Sequence, residues 1–482
     1  MAAPTDDFAA TPQPLKAGEK GVPLSPVDIA WLRMDDPSNL MHIHGVLALD
    51  GALERSQLAE RLGERMMPIP RFRQRVARDG GRLVWVDDDA FDIHRHVTEE
   101  TLPAPGGDAE LAAAIAAHLE RPFDRRHPLW EFRLFQGHRD GAVVFARLHH
   151  AIGDGVALMM VLLAQTDLAP GGPATVDTGD SLEQTMLNPF LEILLRPQEG
   201  LDRARRIAQE VMPETMRLME APAAAVARLN PVLKGAGMTT ALGRLVGRPS
   251  DPRTPFKGRL QRAKRVAWSE SIPLDDVKAI GKGLGGTIND VLNTAMAGGL
   301  RRYIARDGEP PEKLAFRCAM PVSLRPLEEM ADLGNRFGLL FLSLPVGLRD
   351  PERRLAEMRR RAESLKRSAE PIVAYAILRA IGILPEAVHR TVVKIFATKA
   401  TAVFTNVPGP RRTLYFGERA IRDIFFWVPQ AARLGLGVSI LSYDGRVRMG
   451  VGTDAGLVPD PERILEGFVA DLDELATLAA RA

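Results

Sequence analysis

The residues best suited to chemistry in this chain lie together in the segment His149 to Gly155, HHAIGDG. Its flanks, GAVVFARL before it and VALMMVLLAQ after it, read as a strand that ends at the two histidines, a turn through Gly153 to Gly155, and a helix that begins near Val156. A strand end that runs into a glycine turn presents its side chains at a fixed place. The reaction that would use such an arrangement is attack of an alcohol on a thioester. An alcohol ionises far above neutrality, so it is a poor nucleophile until a base removes its proton during attack. A histidine, with an ordinary pKa of about 6.5, suits that task. Neighbouring residues on a strand face opposite sides, so only one of His149 and His150 is expected to face the reacting atoms. Asp154 is placed either to orient the ring or to pair with an arginine and hold the loop. Gly155 and its neighbouring glycine permit backbone conformations that a β-carbon would penalise. No further His, Cys or acidic group follows at helical ligand spacing, so no metal is assigned.

The elements that must position this segment are mixed α and β. With 482 residues, 45% of them apolar and 26% charged, the chain can bury two or three cores. Lys and Arg total 63 against 61 Asp and Glu, a formal charge of +2 that gives no reason to expect a nucleic-acid partner. The lone cysteine, Cys318, excludes an internal disulfide and a cysteine metal cluster, which fits a reducing cytosol. The N-terminus lacks the pattern of a secretory signal. No stretch reaches the roughly 18 to 20 uninterrupted apolar residues that span a bilayer.

Residues 1–22 read as a loose tail, and 23–166 alternate short apolar runs with helical stretches. Residues 167–264 lose the strand signal and read as a helical connector. Residues 265–482 return to alternation. Helices are expected over Leu274–Leu284, Ile288–Ala305, Pro351–Ser368 and Pro459–Ala480, and Phe337–Leu348 reads as a buried strand. Eight Lys or Arg residues lie between Arg244 and Arg265 against one acid, Asp251, a bias that could meet CoA phosphates or an anionic membrane. The run from Pro371 to Phe404 has the spacing of an amphipathic surface that could dock on lipid or of core helices.

HHAIGDG matches the HHxxxDG signature of the wax ester synthase/diacylglycerol acyltransferase family, within the superfamily of chloramphenicol acetyltransferase and peptide-synthetase condensation domains. Further blocks resemble that family along the chain. They are LSPVDIAWLRMDDPSNLMHIHGVLALDG, RFRQRV, LVWVDDDAFDIHRHV, RPFDRRHPLWEFRLFQG, GTINDVLNTAMAGGLRRYI, MPVSLRP, LGNRFG, TAVFTNVPGP and LSYDGRVRMGVGTDAGLVPD. Two small departures are Lys257 in TPFKG, where asparagine is expected, and Thr405, where serine is commoner. The resemblance implies an α/β (α+β) fold of two chloramphenicol-acetyltransferase-like domains facing one another across a tunnel.

It also implies roles. His150 would be the general base, His149 its neighbour, and Asn289 of the Asn-Asp pair a donor to the developing oxyanion. The competing role for Asn289 is at a helix start, and Asp290 beside it reads more as structural than as a substrate contact. Arg325 would pair with Asp154. Trp130 of the PLW block would line the acyl path or pack in the core, and Asn406, Pro408 and Gly409 would form a turn at the substrate. The implied reaction is acyl transfer from acyl-CoA, a co-substrate, to diacylglycerol or a long-chain fatty alcohol, with no cofactor and no covalent acyl-enzyme. The protein would be cytoplasmic, a monomer or homodimer held peripherally on the inner membrane or on lipid droplets. The competing functions are a condensation-type acyltransferase fed by a carrier protein, and a lipid-droplet binding protein without catalysis.

Overall fold

The computed structural model describes residues 12–16, 18–171, 247–324, 333–366, 370–430 and 432–481. Most of the expected tail, most of the expected connector, and Arg325 lie outside the described residues. The first half runs β1 (Gln13–Pro14), β2 (Val22–Pro23), α1 (Pro26–Met34), β3 (His42–Leu49), α2 (Arg55–Arg65), β4 (Gln74–Asp79) and β5 (Arg82–Asp87). It continues with α3 (Ile93–His96), β6 (Val97–Thr101), α4 (Asp108–Leu119), β7 (Trp130–His138), β8 (Gly141–His149) and α5 (Gly155–Leu163).

The second half has β9 (Lys264–Trp268), β10 (Ile272–Pro273), α6 (Leu274–Leu284), α7 (Ile288–Ile304), β11 (Phe316–Ser323), β12 (Phe337–Leu344) and α8 (Pro351–Lys366). After them come α9 (Glu370–Ile383), α10 (Glu386–Ala397), β13 (Ala402–Pro408), β14 (Tyr415–Phe416), β15 (Arg419–Trp427), β16 (Leu436–Tyr443), β17 (Arg446–Asp454) and α11 (Glu462–Ala479).

A six-stranded sheet in the order β14-β15-β3-β8-β7-β6 carries the histidine segment. β8, paired with β3 and β7, is buried along its whole length because both its faces pack into cores, Val144, Ala146 and Leu148 in one and Val143 and Phe145 in another. That explains its nearly continuous apolar sequence, which a strand with one wet face would not need. β14 and β15 come from the second half of the sequence, and β15 runs antiparallel to β3 from Ile421 opposite Leu49 to Trp427 opposite His44. The sheet of the first half is therefore completed by residues 415–427.

The second sheet is ordered β10-β17-β16-β13-β11-β12, with β9 also paired to β17. The β16–β17 turn is Asp444-Gly445 with φ of 48° and 69°, the left-handed pair that matches the twist of a hairpin. α7 and α11 pack over the core of this half, where Val291, Ala295, Leu300, Ile464 and Phe468 are buried. The approach is close at Gly299, where an added β-carbon would fall 2.7 Å from the Ile464 carbonyl. Glycine there is a packing requirement.

Sequence expectations and structure agree closely on helices. Leu274–Leu284 is helical as read, and the others end within a few residues of the expected limits. The apolar run expected as one strand over Phe337–Leu348 stops at Leu344, before Pro345, which has no N–H for a ladder. The run from Pro371 is divided into α9 and α10, with Pro385 as the N-cap of the second helix.

Candidate active site

His150 sits one residue beyond β8, and its backbone N–H still donates to Met41 O at 2.8 Å, extending the ladder with the start of β3. Its ring is buried, with Nδ1 3.0 Å from Asn335 Oδ1. The amide nitrogen of Asn335 donates to Asp28 Oδ1 at 2.9 Å and to the His150 carbonyl at 2.7 Å. Those two acceptors fix which end of the amide is which. Asn335 Oδ1 must then accept, so Nδ1 carries the hydrogen and Nε2 keeps its lone pair. The indole of Trp31 stacks on the imidazole with centroids 3.9 Å apart and planes at 10°, and Phe337 lies 5.6 Å away. Burial pulls the His150 pKa down to about 4, against Asp154 and the hydrogen bonds its ring donates to its own carbonyl and to Asn335. At neutral pH the ring is an uncharged acceptor.

α1 supplies two of these contacts. Its start is set by Ser25, whose Oγ accepts the Asp28 N–H, with Pro26 in the first helical position. Asp28 and Trp31 are three residues apart and so share a face.

His149 has a different set of partners. Its Nε2 is 2.9 Å from Asp35 Oδ2, and its Nδ1 accepts the Ala151 N–H at 3.0 Å. Asp35 also accepts from Arg125 at 3.1 Å and from the Met41 N–H at 2.7 Å. Burial would push the Asp35 carboxyl up, but His149, Arg125 and the Met41 N–H together hold it below the usual range. Asp35, His42 and His149 bring three possible ligand atoms within 4.8 Å of one another. The donor set does not suit a cation. Arg147 Nη2 lies 3.4 Å from His42 Nδ1, which makes that nitrogen the acceptor and leaves the hydrogen on Nε2, the atom a metal would need. Arg125 already sets a positive charge on Asp35.

Asp154 joins the two halves. It is the N-cap of α5, with Oδ1 accepting the Ala157 N–H at 3.0 Å, while Oδ2 accepts the Arg336 N–H at 3.1 Å. Its own N–H donates to Gly334 O at 3.1 Å, and Gly153 bridges to Gly334. Of the two roles the sequence left open, these contacts serve the loop anchor. Gly155 is exposed, and an added β-carbon there would meet nothing within 4 Å, so open space adjoins the motif.

The second group of expected site residues forms its own cluster. The Asn406 amide donates to Asn289 Oδ1, leaving the Asn289 amide hydrogens as donors. No hydrogen bond or ring contact among the described residues joins this pair to His150. Asp290 accepts from the Thr287 N–H at 2.9 Å and its hydroxyl at 2.7 Å, so it closes the capping box of α7. Gly409 donates to Ser442 Oγ at 3.2 Å, and a β-carbon there would fall 2.2 Å from Ser442 O, so Pro408 and Gly409 turn tightly against β16. Trp130 belongs to the core of the first half, stacked on His96 at 4.4 Å and donating to Phe72 O at 2.8 Å.

Lys257 donates to Thr398 O at 2.8 Å and Ala400 O at 2.6 Å, tying the connector to the end of α10. Lys264 is likewise committed, to Asp454 and Ser38 O. Sequence reading missed Asn335, Asp28 and Trp31. Asn335 stood inside the LGNRFG block without a role, and Asp28 and Trp31 inside the opening block.

Two α/β halves that meet over a histidine loop define the architecture shared by acyltransferases and condensation domains of this fold. The structure is similar to that of the wax ester synthase/diacylglycerol acyltransferase from Marinobacter aquaeolei VT8, with a TM-score of 0.68 and 22% identity over 95% of this chain and 100% of that one. It is also similar to the first condensation domain of the calcium-dependent antibiotic synthetase, with a TM-score of 0.57 and 15% identity over 96% of this chain and 97% of that one.

Residues 24–292 match the wax ester synthase/diacylglycerol acyltransferase catalytic domain, and residues 333–476 match the WS/DGAT C-terminal domain. A putative diacylglycerol O-acyltransferase of Mycobacterium tuberculosis is 30% identical over 94% of this chain and 89% of its own. The probable diacylglycerol O-acyltransferase tgs1 of the same species is 28% identical over 95% and 96%. The chain belongs to the wax ester synthase/diacylglycerol acyltransferase family and is an acyltransferase.

Proposed function

We propose that this protein transfers a long acyl chain from acyl-CoA to the hydroxyl of diacylglycerol, with a long-chain fatty alcohol as the alternative acceptor, and that His150 is the general base. The observation that carries this reading is the neutral, buried imidazole with Nδ1 engaged by Asn335 and Nε2 left as the acceptor. The acceptor's O–H proton passes to Nε2 as its oxygen attacks the thioester carbon. The tetrahedral intermediate then collapses with cleavage of the C–S bond, and the CoA thiolate takes the proton back from His150. Asn289 is the candidate donor to the oxyanion, a contribution of about 3 kcal/mol when well placed.

Direct transfer without an acyl-enzyme is supported by Cys318, the chain's one thiol, which is buried in β11 with burial pushing its pKa up. Diacylglycerol is favoured by the names of the mycobacterial relatives. The test is purified protein with radiolabelled acyl-CoA and each acceptor in turn. Triacylglycerol is the expected product, and the absence of any ester would overturn the reading.

Association with a lipid surface is part of the proposal. No helix among the described residues is long and apolar enough to cross a membrane. Of five large hydrophobic residues exposed among the described residues, three, Ile383, Val388 and Ile395, lie on the α9–α10 hairpin. Exposed Arg379, Arg390 and Lys394 accompany them. That combination suits an anionic phospholipid surface. Flotation with phosphatidylglycerol vesicles should carry the protein upward, and Val388→Asp with Ile395→Asp should leave it at the bottom. Unchanged flotation of the double variant would remove the hairpin from this role.

A further inference from the structure

We propose that His150 is held and tuned by a bracket of three residues, in which Asn335 keeps the proton on Nδ1, Asp28 fixes the Asn335 amide, and Trp31 supports the imidazolium that forms when the base takes up the substrate proton. This inference rests on the reading of His150 as the base.

The arrangement is specific in direction. An amide can accept from Nδ1 only if its nitrogen faces other acceptors, and Asp28 Oδ1 at 2.9 Å and the His150 carbonyl at 2.7 Å supply them. Replace Asp28 by an apolar residue and one of the two reasons for that orientation is gone. The ring, free to flip or to change tautomer, would then present Nε2–H to the substrate in a fraction of molecules, and Nε2–H cannot act as a base.

An uncharged partner at Nδ1 matters as much as a fixed one. A carboxylate in the place of Asn335 would stabilise the imidazolium and leave the ring protonated at a higher pH. With an amide, the ring stays free of its proton near neutrality. Among the described residues, the remaining titratable groups that face His150 are Asp154 from its own loop, His149 beside it in the chain, and Asp28 from α1 beyond the amide. Asp154 divides its two oxygens between the N–H groups of Ala157 and Arg336.

Stabilisation of the transient cation falls to Trp31. Its indole lies parallel to the imidazole at 3.9 Å, a distance at which a ring that gains positive charge is attracted to the π face. The gain exists only after proton uptake, so it lowers the barrier without tightening substrate binding. Asp28 and Trp31, on one face of α1, thus address the two sides of the same imidazole's chemistry, the in-plane proton and the ring face.

The experiment is the pH dependence of kcat/KM for triacylglycerol synthesis by the full-length protein, with thermal melting as the check on folding. Asn335→Asp is expected to move the acidic limb upward by about one pH unit or more. Asp28→Asn, which keeps an acceptor oxygen, should leave the limb in place, whereas Asp28→Leu should lower kcat. Trp31→Leu should lower kcat about tenfold with KM for acyl-CoA within about twofold, and Trp31→Phe should recover most of the loss. His150→Ala separates the two levels of the argument. If it retains turnover, the base reading falls and this one with it. If it abolishes turnover while folded Asn335→Asp keeps the wild-type limb, only the bracket is overturned. Should Asn335→Asp not fold, the tryptophan pair decides, since a loss in KM with kcat unchanged would assign Trp31 to substrate binding and refute its proposed role.

Discussion

The neighbourhoods of His149 and His150 differ in kind although the residues are adjacent. Around His149 the protein places charge: Asp35 on Nε2, Arg125 on Asp35, and Arg147 beyond His42. These groups all come from the first half of the chain. Around His150 it places an amide and two aromatic rings, and Asn335 and Phe337 come from the second half. The charged shell locks one ring as a hydrogen-bond donor and makes it a fixture of the fold. The amide and rings in contact with the other histidine leave it able to gain and release a proton, and that set of contacts exists only where the two halves meet.

The largest test of this contrast is removal of each ring's function. His150→Ala should lower kcat by about a hundredfold to ten-thousandfold with the melting temperature nearly kept, read in a coupled CoA-release assay. Asp154→Ala comes next. It removes the α5 cap and the contact to the Arg336 N–H at one stroke, so it should lower both kcat and stability, the cap alone contributing about 1 kcal/mol.

Asp35→Asn should do the opposite of His150→Ala. Arg125 and His149 would lose the carboxylate they share, and denaturant unfolding should show a loss of about 3 kcal/mol with the acidic limb of activity unmoved. A shifted limb in that variant would erase the distinction between the two histidines.

The smallest expected effect concerns pH and stability. Burial lowers the pKa of His44 to about 3 and of His150 to about 4. Both lie below the unfolded value of about 6.5, so the unfolded chain binds more protons below that pH. The stability these neutral rings allow is complete above pH ~6.5 and is lost as pH falls toward their folded values. For His44 the loss at pH 5 is of order 2 kcal/mol. Its ring nitrogens have no hydrogen-bond partner among the described residues, so His44→Phe should flatten the fall in melting temperature between pH 7 and 5. An unchanged slope would mean that the ring titrates normally.

Much of this was legible in the sequence where the determinants are local. The strand, turn and helix around HHAIGDG follow from apolar runs and glycines within one segment, and the α6 and α7 helices from periodicity. Asn335 was not legible as a functional residue because its meaning depends on His150, from which 185 positions separate it. Asp28 and Trp31 stand in the opening block without a role until α1 is seen to lie against the histidine loop. Trp130, which reads first as core packing, does pack in the core of the first half. Pairing of β15 with β3 left no local trace at all, because a strand's sequence states that it needs neighbours and not which ones.

That pairing bears on how the chain is made. β3 is buried over all eight of its residues, and one of its edges is covered by β15. On the ribosome, β3 and β8 can join as soon as His149 has emerged, but the partner for the outer edge of β3 ends at Trp427, 278 residues later. At synthesis rates of about 5 to 20 residues per second the interval is roughly 14 to 56 s. For that time an apolar strand edge stands open to any other extended chain nearby. The enzyme's late strand is therefore a clock on its own biogenesis, and a chain that stalls before residue 427 is released with an adhesive edge.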